Sequence, residues 1–467
     1  MDIYDLVIIG SGPGGYIGAI RASQLGLKTA VIEKDKTYGG TCLNVGCIPS
    51  KALLQSSEFY YEALNDFAAH GIKLESVKLD LPTMMSRKTK VVTDLTAGVE
   101  FLFKKNKITG LKGFGKIINS TTIEVTDANG TKSQIQAKNI VIATGSAPVE
   151  LPFLKFDEKK IVSSTGALAL DYVPKEMLVV GGGVIGLEMA SVWARLGSKI
   201  TVIEFADKIC GMMDQDCVTV LLRSMKKMGV TFLTSAKVTA SRSVGGRVEI
   251  DFETMPDGKK SSLQGDVVLV STGRKAFTEG LGLESVGIEK DERGRVKINS
   301  HYQTNVANIF AIGDVTVGPM LAHKAEEEGV AVAEFLVTGL GHVNYETVPS
   351  VIYTHPEISS VGMTEAQAQK AGIEVAVGKF PFSANGRAKA RGAIEGFVKI
   401  VTDKKTDRII GGHIVGANSS ELLGEIIVAM EFGGSSEDLA RSFHSHPTMS
   451  EVIREAALAV DKRQRQG

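Results

Sequence analysis

Short apolar runs that end in glycine mark the N-terminal half of this chain. The first run, Leu6–Ile9, is followed by a glycine-rich turn and a stretch with helical spacing, and the next run, Thr29–Ile32, ends at Glu33. Continuous apolar runs of about four to eight residues bounded by glycine are typical of strands buried on both faces. The pattern therefore predicts a strand, a glycine turn, a helix and a second strand.

The same pattern occurs twice, at a constant offset of 171 residues. The second copy begins with Met177–Val180, and in both copies the acidic residue lies 23 positions after the first glycine. The repeated positions are Gly10, Gly12, Gly15, Gly26 and Glu33 in the first copy and Gly181, Gly183, Gly186, Gly197 and Glu204 in the second. One G-x-G-x-x-G motif is a weak signal in a chain with 51 glycines, but two copies in the same context predict two dinucleotide sites.

Each residue type in this pattern has a physical reason. The first glycine permits a tight turn, the second lets the backbone approach a pyrophosphate, and the third lets the helix pack closely on the strand. The helix N-terminus attracts the phosphates, and the carboxylate accepts hydrogen bonds from ribose hydroxyls. The alternative, two glycine turns that serve only the fold, would need the whole arrangement to arise twice without a ligand.

Other apolar runs extend the prediction along the chain. Ile140–Gly145 and Val267–Gly273 predict the strand and turn that close each dinucleotide unit, and the first unit is the longer one, with a helix-rich insertion at about residues 42–110. Thr304–Asp314 predicts a strand that ends in Gly-Asp, followed by a helix. From about residue 346, short alternating strands with two helices predict an α+β domain. The segments that follow from this pattern are 1–149, 150–275, 276–345 and 346–467.

Composition and charge narrow the class of protein. With 467 residues, 43% apolar and 23% charged, the chain is long enough for about three or four domains with ordinary cores. Lys plus Arg equals Asp plus Glu at 53 each, so no overall field favours nucleic acid or an anionic membrane. No apolar run reaches the roughly 18–20 residues that span a bilayer, and the first strand begins close to Met1. We expect a cytoplasmic protein without a targeting segment.

Cys42 and Cys47 have the most specific chemistry in the sequence. The chain has four cysteines, too few for a disulfide framework, and these two lie five positions apart among glycines. Five residues of regular helix rise about 7.5 Å, whereas a relaxed disulfide needs Cα atoms roughly 4.4–6.8 Å apart. A bridge therefore needs an irregular turn, which Gly46 permits. Zinc would need further ligands nearby, and two unrelated buried thiols are the other alternative. A redox-active dithiol beside a flavin is favoured, while Cys210 and Cys217 are expected only to pack.

These features together resemble a known family. The segment Gly39–Lys51 has the sequence GGTCLNVGCIPSK, Ala143 to Gly145 close the first unit, Gly313 and Asp314 end a strand, and His446–Glu451 has the sequence HPTMSE. With the paired dinucleotide units, they resemble the flavin disulfide reductases, and more narrowly the dihydrolipoamide dehydrogenase family, over essentially the whole chain. The resemblance implies an α/β fold with two Rossmann-like dinucleotide-binding domains and a C-terminal α+β dimerisation domain. It implies that 1–149 bind FAD, 150–275 bind NAD, 276–345 complete the FAD site and 346–467 form the interface.

The resemblance also implies roles for individual residues. The residues implied to hold FAD are Gly10, Gly12, Gly15, Glu33, Lys51, Gly115, Ala143, Thr144, Gly145 and Asp314. Those implied to hold NAD are Gly181, Gly183, Gly186, Glu188, Glu204 and Gly273. The implied catalytic residues are Cys42, Cys47, the base His446 and its partner Glu451, and no metal is expected. From the residues alone, Lys51 and Glu188 are also compatible with plain helix positions, and Glu451 with a capping box begun by Thr448.

The implied activity is oxidation of dihydrolipoyl groups to lipoyl groups with reduction of NAD+ to NADH, in a homodimer whose His446 reaches the cysteine pair of the other subunit. The implied partners are lipoyl domains of 2-oxo acid dehydrogenase complexes or the H-protein of the glycine cleavage system. A glutathione reductase-like, NADPH-dependent enzyme shares the cysteines and the histidine, but Glu204 would repel the 2′-phosphate of NADPH. A non-catalytic scaffold is the alternative from another class, and the intact dithiol and base argue against it.

Overall fold

Residues 3–142 contribute six strands of a sheet with helices packed on it. The computed structural model describes residues 2–466. The elements of this part are β1 (Ile3–Ile9), α1 (Pro13–Gln24), β2 (Thr29–Glu33), α2 (Gly40–Val45), α3 (Cys47–Asn65), α4 (Leu81–Lys105), β3 (Thr109–Lys112), β4 (Phe114–Asn119), β5 (Thr122–Thr126), β6 (Lys132–Ile142) and β7 (Ser146–Pro148). The strand order is β3-β2-β1-β6-β5-β4, parallel from β3 to β6 and antiparallel from β6 to β4. The predicted helix-rich insertion consists of α2, α3 and α4.

The first strand is apolar throughout because both of its faces are covered. Leu6 and Ile8 pack into the cluster that contains α1, whereas Val7 and Ile9 pack into the cluster on the other face of the sheet. None of the four is more than 4% exposed. Successive side chains of a strand point to opposite faces, so a continuous apolar run is what burial between two layers requires.

The second dinucleotide unit has a parallel sheet and an antiparallel extension. Its elements are β8 (Ile161–Val162), α5 (Ser164–Ala167), β9 (Glu176–Val180), α6 (Val184–Arg195), β10 (Lys199–Ile203), α7 (Gln215–Lys227), β11 (Thr231–Leu233), β12 (Ala236–Val244), β13 (Arg247–Thr254), β14 (Lys259–Gly265), β15 (Val267–Val270) and β16 (Arg274–Ala276). The parallel order is β11-β10-β9-β15-β8, and β12, β13 and β14 form the extension. The short strand β16 pairs with β7, which ties the second unit to the first.

The chain then returns to the first sheet. Strand β17 (Ile309–Ala311) pairs in parallel with β6 through Ile309 and Ile140. The predicted strand over Thr304–Asp314 is therefore correct in place but shorter than expected. The helix predicted after it is α8 (Ala322–Thr338). The first unit is thus built from two separate stretches of sequence.

Helix α8 packs closely on α1 because both helices have glycine at the contact. A Cβ on Gly18 would lie 3.1 Å from the Cα of Gly329, and a Cβ on Gly14 would lie 2.6 Å from the carbonyl oxygen of Ala325. Side chains at these positions would push the helices apart, since interiors pack without spare room. The small residues therefore let α8 cover the first glycine turn.

The C-terminal part is an antiparallel sheet with helices around it. Its elements are β18 (Ser350–Ile352), β19 (Glu357–Gly362), α9 (Glu365–Lys370), β20 (Val375–Pro381), α10 (Gly386–Arg391), β21 (Phe397–Asp403), β22 (Ile409–Gly416), α11 (Ser419–Glu431), α12 (Ser436–Arg441) and α13 (Glu451–Val460). The strand order is β18-β19-β22-β21-β20. Within residues 346–466 there are five α-helices, whereas the sequence predicted two. Of the helices within residues 2–466, none combines the length and apolar character that a bilayer crossing requires.

Helix α3, the second unit and the C-terminal sheet share a hydrophobic core. Leu53 of α3, Trp193 of α6, Ile352 of β18 and Phe397 of β21 belong to the same buried cluster. Leu53 is 1% exposed and Trp193 is fully buried. Because α3 begins at Cys47, this packing fixes the position of that cysteine relative to the rest of the molecule.

Candidate active site

A cavity of about 1790 Å³ connects the two glycine turns with the cysteine pair. The sequence-predicted residues that line it are Gly10, Gly12, Gly15, Glu33, Cys42, Cys47, Lys51, Gly115, Ala143, Thr144, Gly145, Asp314, Gly183, Glu188 and Glu204. Those that lie outside its lining are Gly181, Gly186, Gly273, His446 and Glu451. Residues implied for two different dinucleotides and for the redox pair thus share a continuous space.

Three glycines shape the first turn, each in a different way. Gly10 has a φ of +104°, and a Cβ there would lie 2.3 Å from the carbonyl oxygen of Ala143. A Cβ on Gly15 would lie 2.0 Å from the carbonyl oxygen of Gly10. A Cβ on Gly12 would meet nothing within 4 Å, because Gly12 faces the cavity. The fold requires the first and third glycines, and the second leaves room for a ligand.

The second turn repeats this geometry. Gly181 has a φ of +109°, and a Cβ there would lie 2.5 Å from the carbonyl oxygen of Ser271. A Cβ on Gly186 would lie 2.2 Å from the carbonyl oxygen of Gly181, whereas a Cβ on Gly183 would meet nothing within 4 Å. The repeat in the sequence is therefore a repeat in the structure.

Glu33 and Glu204 make equivalent hydrogen bonds. The N–H that follows the first glycine of each turn donates to Oε2, at 3.0 Å for Glu33 and 2.6 Å for Glu204. The N–H two residues beyond each carboxylate donates to Oε1, at 2.8 Å and 2.7 Å. Ser11 Oγ also donates to Glu33 Oε2, so Glu33 keeps a free lone pair on Oε1, whereas Glu204 keeps one on each oxygen. Both residues line the cavity. The carboxylates are therefore held in place and still able to accept from a hydroxyl.

The residues at both turns fit a dinucleotide. Gly12 and Gly183 are the N-caps of α1 and α6, so neither of these helix starts is capped by a side chain. The first N–H groups of each helix are thus available to phosphate oxygens, and the positive end of the helix dipole favours an anion there. With a fixed carboxylate beside each turn, the site matches a pyrophosphate and a ribose at both places.

The remaining residues implied for FAD surround the first turn. Gly115 lies on β4, where a Cβ would come within 3.2 Å of Ile32. Thr144 Oγ1 donates to the carbonyl oxygen of Phe277 at 2.6 Å, which holds the loop after β6. Gly115 and Thr144 both line the cavity. Because Gly115 and Thr144 have small side chains, the backbone itself forms this part of the cavity wall.

Cys42 and Cys47 lie on two helices that Gly46 separates. Cys42 lies in α2, and Cys47 is the first residue of α3. Gly46 has φ −137° and ψ −113°, outside the helical region, and a Cβ there would lie 2.9 Å from the carbonyl oxygen of Thr41. Across this break the two cysteines, which are free thiols in this structure, lie close enough for each side chain to shift the pKa of the other. The irregular turn that the spacing predicts is therefore present.

The two thiols differ in acidity. The hydrogen bond from Cys42 lowers the pKa of Cys47, burial opposes this, and the nearby charge of Lys51 lowers the pKa further. The same hydrogen bond, together with burial, raises the pKa of Cys42. Cys47 also lies at the positive end of the α3 dipole. The direction of both shifts favours the thiolate at Cys47 over the thiolate at Cys42.

Lys51, Glu188 and Tyr353 come from three parts of the chain and meet beside the cysteines. Lys51 Nζ donates to the two carboxylate oxygens of Glu188 at 2.9 and 2.8 Å. Tyr353 N donates to Glu188 Oε1 at 3.1 Å, and the Tyr353 ring centroid lies 4.4 Å from Lys51 Nζ. A residue implied for FAD and one implied for NAD thus form an ion pair. Sequence reasoning missed Tyr353, which no motif marks.

Asp314 follows β17 and faces the cavity. Ser146 Oγ donates to Asp314 Oδ2 at 2.5 Å, and Arg274 Nε donates to Ser146 Oγ at 2.7 Å. Sequence reasoning missed both Ser146 and Arg274. Each directly follows a glycine that was singled out, Gly145 or Gly273, and a search of the residue after each closing glycine could have found them.

His446 and Glu451 form a pair in the C-terminal part, outside the cavity lining. His446 Nδ1 lies 3.0 Å from Glu451 Oε1, and Thr448 N donates to Glu451 Oε2 at 2.9 Å. The His446 side chain is 76% exposed, and that of Glu451 is 5% exposed. Burial raises the pKa of Glu451, but the hydrogen bonds from Thr448 and His446 outweigh it, so the pKa is lowered. Glu451 is thus a carboxylate that orients the imidazole and leaves Nε2 directed away from it.

The capping interpretation of Glu451 is correct in part. Helix α13 begins at Glu451, and the carboxylate reaches back to the N–H of Thr448. Thr448 Oγ1 instead donates to the carbonyl oxygen of Ser445 at 2.7 Å, so the reciprocal bond of a capping box is not made. The helix start and the histidine therefore share one carboxylate.

Cys210 borders the cavity, while Cys217 is fully buried in the core. Cys210 Sγ lies 3.5 Å from the carbonyl oxygen of Gly182, close to Glu204. Burial and the charge of Glu204 raise the pKa of Cys210 to about 12, so this thiol stays protonated near neutral pH. Among the described residues, no three His, Cys, Asp or Glu side chains gather as a metal site would require.

Comparison with known proteins identifies the family. Residues 4–329 match the family described as pyridine nucleotide-disulphide oxidoreductase, and residues 348–457 match the dimerisation domain of the same family. The chain belongs to the pyridine nucleotide-disulphide oxidoreductase family, and its cofactors are FAD and NAD. The dimerisation domain supports a homodimer.

The relatives of this chain match it over almost its full length. It is 54% identical over 458 residues to dihydrolipoyl dehydrogenase 1, mitochondrial, from Arabidopsis thaliana, with 98% of this chain and 90% of that protein covered. It is 52% identical over 458 residues to leghemoglobin reductase from Glycine max, with coverage of 98% and 88%. Its structure is similar to that of LpdA from Mycobacterium tuberculosis, with a TM-score of 0.89, 29% identity and coverage of 98% and 99%. The family and the α/β fold class predicted from the sequence are confirmed.

Proposed function

We propose that this chain is a dihydrolipoyl dehydrogenase, which oxidises dihydrolipoyl groups to lipoyl groups and reduces NAD+ to NADH with release of a proton. The observation that carries the proposal is the position of Cys42 and Cys47 in the cavity that also contains both dinucleotide turns. A dithiol there can exchange with a substrate dithiol on one side and deliver electrons toward the dinucleotides on the other. Full-length relatives named dihydrolipoyl dehydrogenase support this activity.

The substrate reacts at Cys42 when the pair is oxidised to a disulfide. A substrate thiolate attacks Cys42 Sγ, a mixed disulfide forms, and the Cys42–Cys47 bond breaks with its electron pair on Cys47. The second substrate thiolate then attacks the substrate sulfur of the mixed disulfide, which closes the lipoyl ring and releases Cys42. The lowered pKa of Cys47 makes it the better leaving thiolate in the first step.

The reduced pair must then lose two electrons to return to the disulfide. When bound, FAD and NAD+ supply the two-electron acceptor and the final hydride acceptor. The chain's own part is to hold Cys47 as a thiolate, through the S–H of Cys42 and the charge of Lys51. Glu188 and Tyr353 hold Lys51 in that position.

The cofactors are assigned to the two turns. The residues that would hold FAD are Gly10, Gly12, Gly15, Glu33, Lys51, Gly115, Ala143, Thr144, Gly145 and Asp314. Those that would hold NAD are Gly181, Gly183, Gly186, Glu188, Glu204 and Gly273. Glu204 favours NAD over NADP, because its charge opposes a 2′-phosphate. Lys208 also lines the cavity, but one ammonium beside a carboxylate gives no net positive charge.

His446 acts as the base on the substrate thiols, and the other subunit of a homodimer supplies it. The imidazole is exposed in its own chain, outside the cavity lining, and Glu451 fixes it through Nδ1. An imidazole held by a carboxylate can take a thiol proton and be stabilised as imidazolium. The match of residues 348–457 to the dimerisation domain supports this arrangement.

The proposal also includes the partners, the location and the domain limits of the chain. The substrates are lipoyl domains of 2-oxo acid dehydrogenase complexes or the H-protein of the glycine cleavage system, and no binding to nucleic acid or membrane is involved. We place the chain in the cytoplasm. Some relatives are named mitochondrial, so cell fractionation is needed to test this location. The segments 1–149, 150–275, 276–345 and 346–467 are the proposed domains.

A substrate panel tests the activity. Turnover of purified protein is measured with lipoamide and NADH, and separately with glutathione disulfide and NADPH. We expect activity with the first pair. Preference for the second pair would assign a glutathione reductase-like enzyme. A yellow protein that bleaches on addition of dithiol is expected as well, and a colourless protein without turnover would favour a scaffold.

A further inference from the structure

Behind the turn that carries Asp314 lies a buried carboxylate, Glu328 of α8. Gly313 N donates to Glu328 Oε2 at 2.7 Å, and Gly313 has a φ of +73°, which favours glycine. Lys324 Nζ lies 2.9 Å from Glu328 Oε1, and both side chains are 1% exposed. Tyr345 OH donates to the same Oε1 at 2.7 Å. The carboxylate thus connects the Asp314 turn with an ammonium and a phenol that lie behind the cavity wall.

Tyr345 belongs to the turn that joins α8 to the C-terminal part. Asn344 Nδ2 and Thr347 Oγ1, on either side of Tyr345, each donate to Glu431 Oε2 at 2.8 Å. Glu431 is the last residue of α11, inside the region that matches the dimerisation domain. Hydrogen bonds therefore hold the residues that flank Tyr345 on α11, and Tyr345 in turn donates to Glu328, which accepts from the Gly313 amide.

We propose that Glu328 and Tyr345 are positioning residues that hold the Gly313–Asp314 turn in the conformation that retains FAD. The inference rests on the proposed FAD site at Asp314. A buried carboxylate that neutralises Lys324 cannot turn away without leaving that charge uncompensated. The fixed carboxylate holds the Gly313 amide, and the hydroxyl of Tyr345 holds the carboxylate. The C-terminal part thereby influences FAD retention without touching the cofactor.

The rate of FAD release from the holoenzyme tests the proposal. Free flavin fluorescence is followed after dilution, beside the melting temperature of each variant. Tyr345→Phe keeps the ring and removes the donor, and we expect release on the order of tenfold faster, the effect of one hydrogen bond to a charged group. Glu431→Ala should speed release less, because it acts through the turn. Tyr302→Phe is the matched comparison: its hydroxyl forms a longer hydrogen bond with that of Tyr345, at 3.3 Å, whereas the Tyr345 hydroxyl is the one that donates to Glu328, so it should speed release less than Tyr345→Phe does.

Different results would contradict the positioning role of Tyr345 and the FAD site at Asp314. An unchanged release rate for Tyr345→Phe, with or without a lower melting temperature, overturns the proposal, as does equal acceleration in both tyrosine variants. Asp314→Ala separates this inference from the site assignment on which it rests. If Asp314→Ala also leaves release unchanged, the FAD site itself is wrong. If it speeds release while Tyr345→Phe does not, only the positioning role is wrong.

Discussion

The Lys51 ammonium and the Glu188 carboxylate form a bidentate ion pair that joins the two dinucleotide units, with Nζ at 2.9 and 2.8 Å from the two oxygens. The Glu188 side chain is 4% exposed and that of Lys51 is 32% exposed. A carboxylate this buried needs its cation, so the pair holds Lys51 firmly in place. Positive charge is thereby fixed one helical turn beyond Cys47, the sulfur with the lowered pKa.

Replacing Lys51 with Met should raise the pKa of Cys47, because a charge that favours the thiolate is lost. The long-wavelength absorption between a thiolate and the flavin exists above the pKa of Cys47 and is lost as the pH falls through it. With a raised pKa, this loss should move to higher pH. Absorbance of the anaerobically reduced enzyme, measured as the pH is lowered, gives the midpoint.

Lys51→Arg is the matched control for this titration, since it keeps a cation on α3. Its midpoint should stay closer to that of the parent enzyme than the midpoint of Lys51→Met. A midpoint for Lys51→Met at or below that of the parent would show that Lys51 does not stabilise the thiolate.

The two cysteine variants should separate two properties. Cys47→Ser should lose the long-wavelength band, because the sulfur that bears the negative charge is gone. Cys42→Ser should keep the band and lose turnover with lipoamide, because the sulfur that exchanges with substrate is gone. Spectra and turnover of both reduced variants provide the measurement. The opposite pattern of bands would exchange the two roles.

Glu204→Arg should weaken NAD+ binding and improve tolerance of NADP+. The variant loses a carboxylate for ribose hydroxyls, worth about 1.5–3 kcal/mol, and gains a cation for the 2′-phosphate. The ratio of kcat/KM for NAD+ to that for NADP+ is the measurement. Glu204→Gln, which keeps the shape and one acceptor oxygen, should fall between the parent and Glu204→Arg. An unchanged ratio in Glu204→Arg would remove Glu204 from the ribose site.

Mixing two inactive variants should restore activity if His446 acts in trans. Cys42→Ser and His446→Gln each lack one part of every site in their own homodimers. After subunit exchange, a heterodimer has one site with both an intact cysteine pair and an intact histidine. Turnover with lipoamide should therefore appear in the mixture and remain absent from each variant alone.

Subunit exchange must be shown independently, for example by differently tagged chains recovered together. Activity that stays absent despite such exchange would mean that the histidine serves the cysteines of its own chain or none at all.

Local features of the site were predictable from the sequence because short-range geometry determines them. The glycine turns depend on residues within a few positions, and the Cβ clashes at Gly10 and Gly15 explain why that spacing is needed. The break between α2 and α3 follows from the five-residue separation of Cys42 and Cys47 and from Gly46. In these places, residues close together in the sequence determine the backbone conformation.

Contacts between distant parts could not be predicted in the same way. Lys51 and Glu188 are 137 positions apart, and each is an ordinary polar residue in its own helix. Their pairing comes from the packing of α3 on α6. In the C-terminal part, α9, α10 and α12 have six residues each, fewer than two turns, so the helical period has no length over which to appear in the sequence.

The return of β17 to β6 determines the order in which this chain can be folded as it is synthesised. The sheet that contains β9 and β15 pairs only with strands from 161–270, so it can close as soon as those residues have emerged. The first sheet cannot close then, because Ile140 still lacks its partner Ile309. For the time needed to make those intervening residues, the nascent chain presents an open strand edge, a template on which another chain can pair. Shielding by a chaperone is therefore most useful during that interval.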